Sequence, residues 1–200
     1  MTEVFKHVLP GLTMFGLFFV AHILMLDIVT ERDQKTLRRL LAGPVTVGQF
    51  LAAKVIVTFL VCIFAEFFLV LVSIVFFGMT WGNPFLFAFV SLTIILAIIG
   101  MMALVHGVAK TRNQADNLSN VVIMWMCVFG GTFFPIEEMP PFMREIGRWT
   151  INYWAIDGMK AIISGASIES ILGIVSGLSL CGVLTLAVGV FAMRRQLVKG

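Results

Sequence analysis

Long apolar runs broken by short charged clusters organise this chain. No charged residue lies between Lys6 and Asp27, between Glu66 and Lys110, between Asp116 and Glu137, or between Glu169 and Arg194. Each gap can cross a bilayer, because about 20 helical residues span roughly 30 Å of hydrocarbon. The second gap is long enough for much more. The runs lack two-residue alternation and are twice the length a barrel strand needs, so helices are expected rather than a β-barrel. The pattern predicts a single transmembrane domain over 1–200, with spans at about 9–29, 48–77, 84–108, 116–135 and 169–193. Trp81, Gly82, Asn83 and Pro84 form an uncharged turn that splits the long central run into a helical hairpin.

Two stretches between spans carry a helical pattern of their own. From Thr30 to Pro44, Thr30 is placed as an N-cap, Glu31 and Asp33 suit the positive end of a helix dipole, and Arg38 and Arg39 suit the negative end. Gly43 and Pro44 then stop a short helix, expected over 31–42, with Leu37, Leu40 and Leu41 on one side. It reads either as a juxtamembrane helix on anionic lipid or as a docking element for a cytoplasmic partner. After Pro140 and Pro141, apolar Phe142, Ile146, Trp149 and Tyr153 recur at helical spacing with Arg144, Glu145, Arg148 and Asn152 between them. That is an amphipathic helix, and Trp149, Tyr153 and Trp154 suit the headgroup level.

Composition makes lipid the solvent. The chain is 60% hydrophobic and 12% charged, against about 45 to 50% apolar and about 25% charged in soluble domains. The net charge of +3 does not point to nucleic acid, because the basic residues flank apolar runs. Of the 14 Lys and Arg residues, one side collects Arg32, Lys35, Arg38, Arg39, Lys54, Lys110, Arg112, Arg194, Arg195 and Lys199; the other has Lys6, Arg144, Arg148 and Lys160. The positive-inside rule then makes the carboxyl terminus cytoplasmic and the amino terminus external in a cell (inner) membrane protein. No small-x-small cleavage site follows the first run, so it reads as a retained helix rather than a signal peptide. An external start without a cleaved signal suggests a preceding helix, and the chain is expected to be the carboxyl-terminal portion of a longer protein.

Chemistry is sparse inside the spans. Glu66 interrupts an apolar run and costs at least about 2.5 kcal/mol if charged and unpaired at mid-depth, so it should face the bundle interior or the transport pathway. It could bind a cationic substrate or a proton, or be hydrogen bonded to a neighbouring helix. His22 and His106 lack ligand spacing and read as structural. Cys62, Cys127 and Cys181 read as small buried hydrophobes. The segment from Arg112 to Asn117 is expected to cap the fourth span. Gly173, Gly177, Cys181, Thr185 and Gly189 fall at steps of four and give a small-residue stripe for close helix packing. No phosphate-cradling Gly-x-x-x-x-Gly-Lys-Ser/Thr, His-Glu-x-x-His or Gly-x-Ser-x-Gly sequence occurs, and no metal site is expected.

The stretch Glu31-Arg32-Asp33-Gln34-Lys35-Thr36-Leu37-Arg38-Arg39-Leu40-Leu41-Ala42-Gly43-Pro44, followed by Lys54, resembles the cytoplasmic loop of ABC-2 type transporter permeases, the membrane subunits of ATP-driven exporters. Phe129-Gly130-Gly131-Thr132-Phe133-Phe134-Pro135, then Met139-Pro140 and Tyr153-Trp154-Ala155-Ile156-Asp157-Gly158, is similar to that family's external segment before its last span. Two motifs in the right order cover nearly the whole chain.

The resemblance implies an all-α permease fold of six helices, pairing with a second permease subunit as a homo- or heterodimer and binding cytoplasmic ABC ATPase subunits. ATP and Mg would be bound by that partner; this chain would hold no cofactor and would not itself be an enzyme. The helix at 31–42 would be the coupling helix, with Glu31, Arg32, Lys35, Thr36, Arg38 and Arg39 facing the ATPase. Pro135, Pro140, Tyr153, Trp154 and Asp157 would belong to a re-entrant helical pair over 136–165 that closes the external end. Two departures stand out. The family's first span and following external domain are absent, and Thr150-Ile151-Asn152 stands where many members carry a proline. The rival readings are a secondary transporter or channel using Glu66, and an inactive fragment or membrane assembly protein.

Overall fold

The structure, a computed structural model, describes residues 2–34, 36 and 43–199, with side chains described for 8–34, 36 and 43–197. The described residues form seven α-helices and a short 3-10 turn, with no strand among them. The helices are α1 (Thr2–Asp33), α2 (Val47–Phe77), α3 (Pro84–Val108), α4 (Arg112–Phe129), α5 (Pro141–Gly147), α6 (Ile151–Ile163) and α7 (Ile168–Lys199). The 3-10 turn is Ile136–Glu138. The fold is thus all-helical, as the apolar runs require.

Local chemistry sets the helix ends. Thr46 and Gln49 form a capping box at the start of α2, with Gln49 N donating to Thr46 Oγ1 at 3.3 Å and Thr46 N donating to Gln49 Oε1 at 2.9 Å. Gly78 closes that helix in the left-handed conformation at φ 61°. After it, Asn83 caps α3 by accepting from Phe85 N at 3.0 Å, and Pro84 occupies the first turn, where its missing N–H costs nothing. Trp81 is folded inward in this hairpin, donating from Nε1 to Ser73 Oγ at 2.6 Å.

Among the described residues four helices are long and apolar enough to cross a membrane: the Val8–Asp33 stretch of α1, then α2, α3 and the Ile168–Leu197 stretch of α7. The expected fifth span is the shorter α4. It has 18 residues, and its first turns carry Arg112, Asn113, Gln114, Asp116 and Asn117. It also stops before Pro135, because Gly130 caps it and Gly131 turns the chain at φ 88°. The residues expected to cap the span are instead its first helical turns, and the cap is Thr111, which accepts from Gln114 N at 3.2 Å.

Two more expectations change at loop level. Thr30 is not an N-cap: α1 runs unbroken to Asp33, and Thr30 Oγ1 donates back to Leu26 O at 3.0 Å. Most of the expected 31–42 helix, including Lys35, Leu37, Arg38, Arg39, Leu40 and Leu41, lies outside the described residues. The single amphipathic helix after Pro140 is two helices. Thr150 breaks it by capping α6, accepting from Tyr153 N at 3.2 Å.

Helix α3 forms the centre. Its most apolar stretch is 61% buried, against 17% for α2 and 22% for α7, whose outer faces are left for lipid. Small residues seat α7 on α3. A Cβ on Gly182 would stand 2.9 Å from Ala97 N, and one on Gly107 would stand 2.8 Å from Gly189 O. Gly189 therefore packs as the small-residue stripe suggested, but Gly173 and Gly177 are exposed and a Cβ there would meet nothing within 4 Å. A four-residue step overshoots the helical turn by about 40°, so a stripe drawn over four steps winds most of the way to the opposite face. The residue that replaces Cys181 at the close contact is Gly182.

At Gly182 the obstructing atoms are backbone and cannot give way. Gly182→Val is expected to destabilise the chain by about 1–3 kcal/mol, seen as a lower midpoint of thermal unfolding in detergent. Gly173→Ala, placed in open space, should leave that midpoint unchanged.

Candidate functional site

Charges cluster where α1 ends. Asp27 and Glu31 are one turn apart, and both meet Lys54 on α2: Lys54 Nζ donates to Glu31 Oε1 at 2.8 Å and also to Asp27 Oδ2. Lys54 sits two turns inside a mostly apolar helix, 5.6 Å above the Phe50 ring. A lone ammonium there needs an anion from a neighbouring helix, and α1 supplies two. The carboxylates stay partly open, with side-chain exposures of 53% for Asp27 and 27% for Glu31, so the triad remains wet.

Arg32, on the next face of the same turn, reaches the opposite way. Its guanidinium donates to Lys110 O at 2.6 Å and Ala109 O at 3.4 Å, and to Gln196 Oε1 on α7. Gln196 Nε2 in turn donates to Gly107 O at 2.6 Å. Asp33 completes the set by accepting from Arg112 N at 2.6 Å, at the first turn of α4. The planar fork of Arg32 satisfies carbonyls left over at the end of α3, which suits Arg and not Lys. The last two turns of α1 are thereby bonded to α2, to the α3–α4 turn, to α4 and to α7. Whatever moves the segment after Asp33 acts on all of them.

A second polar group lies just inside this joint. His22 Nε2 is 3.0 Å from Asp116 Oδ1, and His22 Nδ1 is 3.3 Å from His106 Nε2. His22 and His106 are 84 positions apart and were read singly in the sequence, but equal depth on packed helices brings them together. Among the described residues no group of three or more His, Cys, Asp or Glu is arranged to hold a metal ion.

At the opposite end α5, α6 and the 3-10 turn fold over the bundle. Gly130 is required there: a Cβ would stand 2.8 Å from Thr150 Oγ1 and closer still to Asn152. Asn152 is fully buried and donates from Nδ2 to Thr132 Oγ1 at 2.9 Å. The Thr150-Ile151-Asn152 departure thus has a defined shape, a capping Thr and an Asn that ties α6 to the Gly130-Gly131-Thr132 turn. Pro135 and Pro140 precede the 3-10 turn and α5, respectively. Tyr153 and Trp154 meet edge to face at 6.1 Å, and Trp154 Nε1 donates to Arg148 O at 2.8 Å. Asp157 is exposed, one turn before Lys160, which pairs with Glu137 at 3.3 Å.

Other site residues from the sequence divide. Glu31 and Arg32 are in the joint, Thr36 Oγ1 donates to Glu31 O at 3.0 Å, and Lys35, Arg38 and Arg39 lie outside the described residues. Glu66 is 4% exposed and accepts from Ser91 Oγ on α3 at 2.7 Å. Asp27, Gln196 and the meeting of His22 with His106 were missed, and Asp33 was read only as an acid suited to a helix start. The available signal was Lys54 itself, a cation inside an apolar run, together with acids four residues apart on the preceding helix.

The described geometry is accompanied by clear kinship. Residues 2–164, reaching through α6, match the family model described as ABC-2 type transporter. The chain is similar to the linearmycin resistance permease protein LnrN of Bacillus subtilis (strain 168), 28% identical over 169 residues that cover 84% of this chain and 44% of that protein. It is also similar to the probable multidrug ABC transporter permease YbhR of Escherichia coli (strain K12), 26% identical over 122 residues that cover 60% of this chain and 33% of that protein. The chain therefore spans less than half the length of these curated relatives. With most of its length inside the family match and its apolar helices built to cross a bilayer, this chain is a multi-pass membrane protein that belongs to the ABC-2 type transporter family.

Proposed function

We propose that this chain forms the translocation pathway of an ATP-driven exporter and takes its power stroke through the segment that follows Asp33. The observation that carries this reading is the joint at the end of α1, where Asp27, Glu31, Arg32 and Asp33 bond to α2, the α3–α4 turn, α4 and α7. A cytoplasmic ABC ATPase subunit binds ATP and Mg and grips Lys35, Thr36, Arg38 and Arg39 on the coupling segment 31–42. Its closure pushes on Glu31 and Arg32, and the push reaches four other elements at once, tilting the spans between inward and outward openings. In this orientation the Lys54 end is cytoplasmic and the Trp81 end external, in agreement with the excess of basic residues at the former.

A second permease subunit completes the pathway. It packs on α4, whose face opposite the buried Ala115, Ser119 and Ile123 exposes the apolar Val121, Met124 and Trp125 beside Asn120. The α5–α6 pair, with Pro135, Pro140, Tyr153, Trp154 and Asp157, closes the external end. The cargo is of the kind the relatives' names point to, a compound a cell resists or expels.

A proton-coupled transporter working through Glu66 is the second reading, favoured by a buried carboxyl inside a span. Its hydrogen bond from Ser91 accounts for Glu66 without transport, because a bonded polar group on a helix interface is tolerated in lipid.

Three outcomes separate these readings. Reversing charge in an Arg38→Glu/Arg39→Glu variant should abolish copurification of the ATPase subunit from detergent. Arg32→Ala should keep the ATPase bound but lower cargo efflux per ATP hydrolysed by about tenfold, a coupling loss of about 1.4 kcal/mol, measured in proteoliposomes. Glu66→Gln keeps an acceptor for Ser91 and should leave ATP-driven efflux intact; loss of efflux together with dependence on a proton gradient would instead support the second reading.

A further inference from the structure

Beneath the joint the contacts around His106 leave one polar atom over. His106, on α3, is 1% exposed. Its Nε2 lies 3.3 Å from His22 Nδ1 on α1 and 3.0 Å from Ser119 Oγ on α4. Its Nδ1 is buried and meets no hydrogen-bonding group among the described residues. With both rings neutral, His22 Nε2 donates to Asp116 Oδ1 at 3.0 Å and His106 Nε2 donates to His22 Nδ1. His106 Nδ1 is then a lone pair in need of a donor. The opposite tautomer would leave an N–H in need of an acceptor, so the ring calls for a further partner in either form.

His106 also borders a cavity of about 10 Å³ between α1, α3 and α7. That is about the smallest space that holds the centre of one water molecule. Two more polar side chains reach its wall, Arg32 from α1 and Gln196 from α7, and the rest is apolar, Val29 and Met193 included. A wholly apolar cavity stays dry, whereas about three polar partners are what a buried water ordinarily has. The hydrogen-bonding capacities fit as well. Gln196 Oε1 has two lone pairs, one of them taken by Arg32. Arg32 has N–H groups on three nitrogens, and two of those nitrogens share the Ala109 carbonyl at 3.4 Å each, so one N–H can turn to the cavity. The space is too small for a larger ligand, and the guanidinium repels a metal ion.

We propose that His106, Arg32 and Gln196 form a binding site for one buried water, which accepts from the Arg32 guanidinium and donates to His106 Nδ1 and Gln196 Oε1. Water suits the place because it donates and accepts from one atom. It enters from the Lys54 end, where the Arg32 side chain keeps 16% of its surface open. The water joins two polar groups that are otherwise separate, the joint on α1 and α7 and the histidine pair that links α1, α3 and α4. Through it the joint gains a side-chain hold on α3, about one turn inside the carbonyls that Arg32 already binds. The site stands whether or not an ATPase grips the loop.

The test is a density map of the full chain in lipid, at a resolution that shows ordered water, with the unfolding of two cavity variants beside it. The expected map has a water peak within about 3.2 Å of His106 Nδ1, the Arg32 guanidinium and Gln196 Oε1. Val29→Ile pushes a methyl group into the cavity, displaces the water and should lower the midpoint of thermal unfolding in detergent. In a His106→Leu background the acceptor that calls for the water is gone, so adding Val29→Ile should cost nothing there. A clear map with no peak at that point would overturn the proposal. So would a Val29→Ile midpoint at or above that of the unaltered chain, as filling a dry cavity gives, or equal falls in both backgrounds, as plain overpacking gives. The map decides the matter if His106→Leu fails to fold.

Discussion

A charged group at the edge of hydrocarbon must find its partner on another helix, and that requirement shapes this molecule. Lys54 lies too far inside α2 to be left to water alone. Asp27 and Glu31 answer it from α1, and their presence extends α1 as a helix past the point where its apolar run ends. Once the helix is extended, Arg32 and Asp33 point at the α3–α4 turn and at α7, and the remaining contacts follow. A chain with little polar surface thus concentrates its hydrogen bonding at one end, where helices that share few polar contacts elsewhere become mechanically connected.

The rest of the bundle is held by shape. Helix α3 is apolar on all sides and buried on most of them, so it serves as a post. Gly100, Gly107, Gly182 and Gly189 let α7 approach it backbone to backbone, the usual route to tight association where lipid and side chains are equally apolar. At the other end Gly130, Thr132, Thr150 and Asn152 lock the α5–α6 pair against the bundle by close contact and by buried hydrogen bonds from Asn152 to Thr132 and Cys127. Polar joint and apolar post divide the work: the post keeps α7 with α3, and the joint decides what α1 can pull.

Much of the architecture was legible in the sequence because lipid allows few solutions. Charge-free runs announced helices, and Trp81 to Pro84 announced a turn. What the sequence concealed was every relation between helices. The four-residue stripe on α7 was real only in part, since its winding carries Gly173 away from the face that Gly189 uses. Thr30 was misread because its hydroxyl can cap a helix or bond back within one, and only the partners downstream decide which. The same holds for the site. Glu31 and Arg32 were visible as a charged cluster, but Lys54 as their anchor, Gln196 as a bridge and the meeting of His22 with His106 depend on depth and rotation that a one-dimensional pattern does not carry.

The central claim is that the end of α1 transmits force through its bonds, and a double-mutant cycle on Glu31 and Lys54 tests it most directly. Efflux per ATP is compared for Glu31→Gln, Lys54→Met and the pair combined, in the reconstituted complex with its ATPase. If the bond transmits, the combined variant is no worse than Lys54→Met alone, because a contact can be broken only once. Losses that simply multiply, or single variants that couple as well as the unaltered chain, would contradict it.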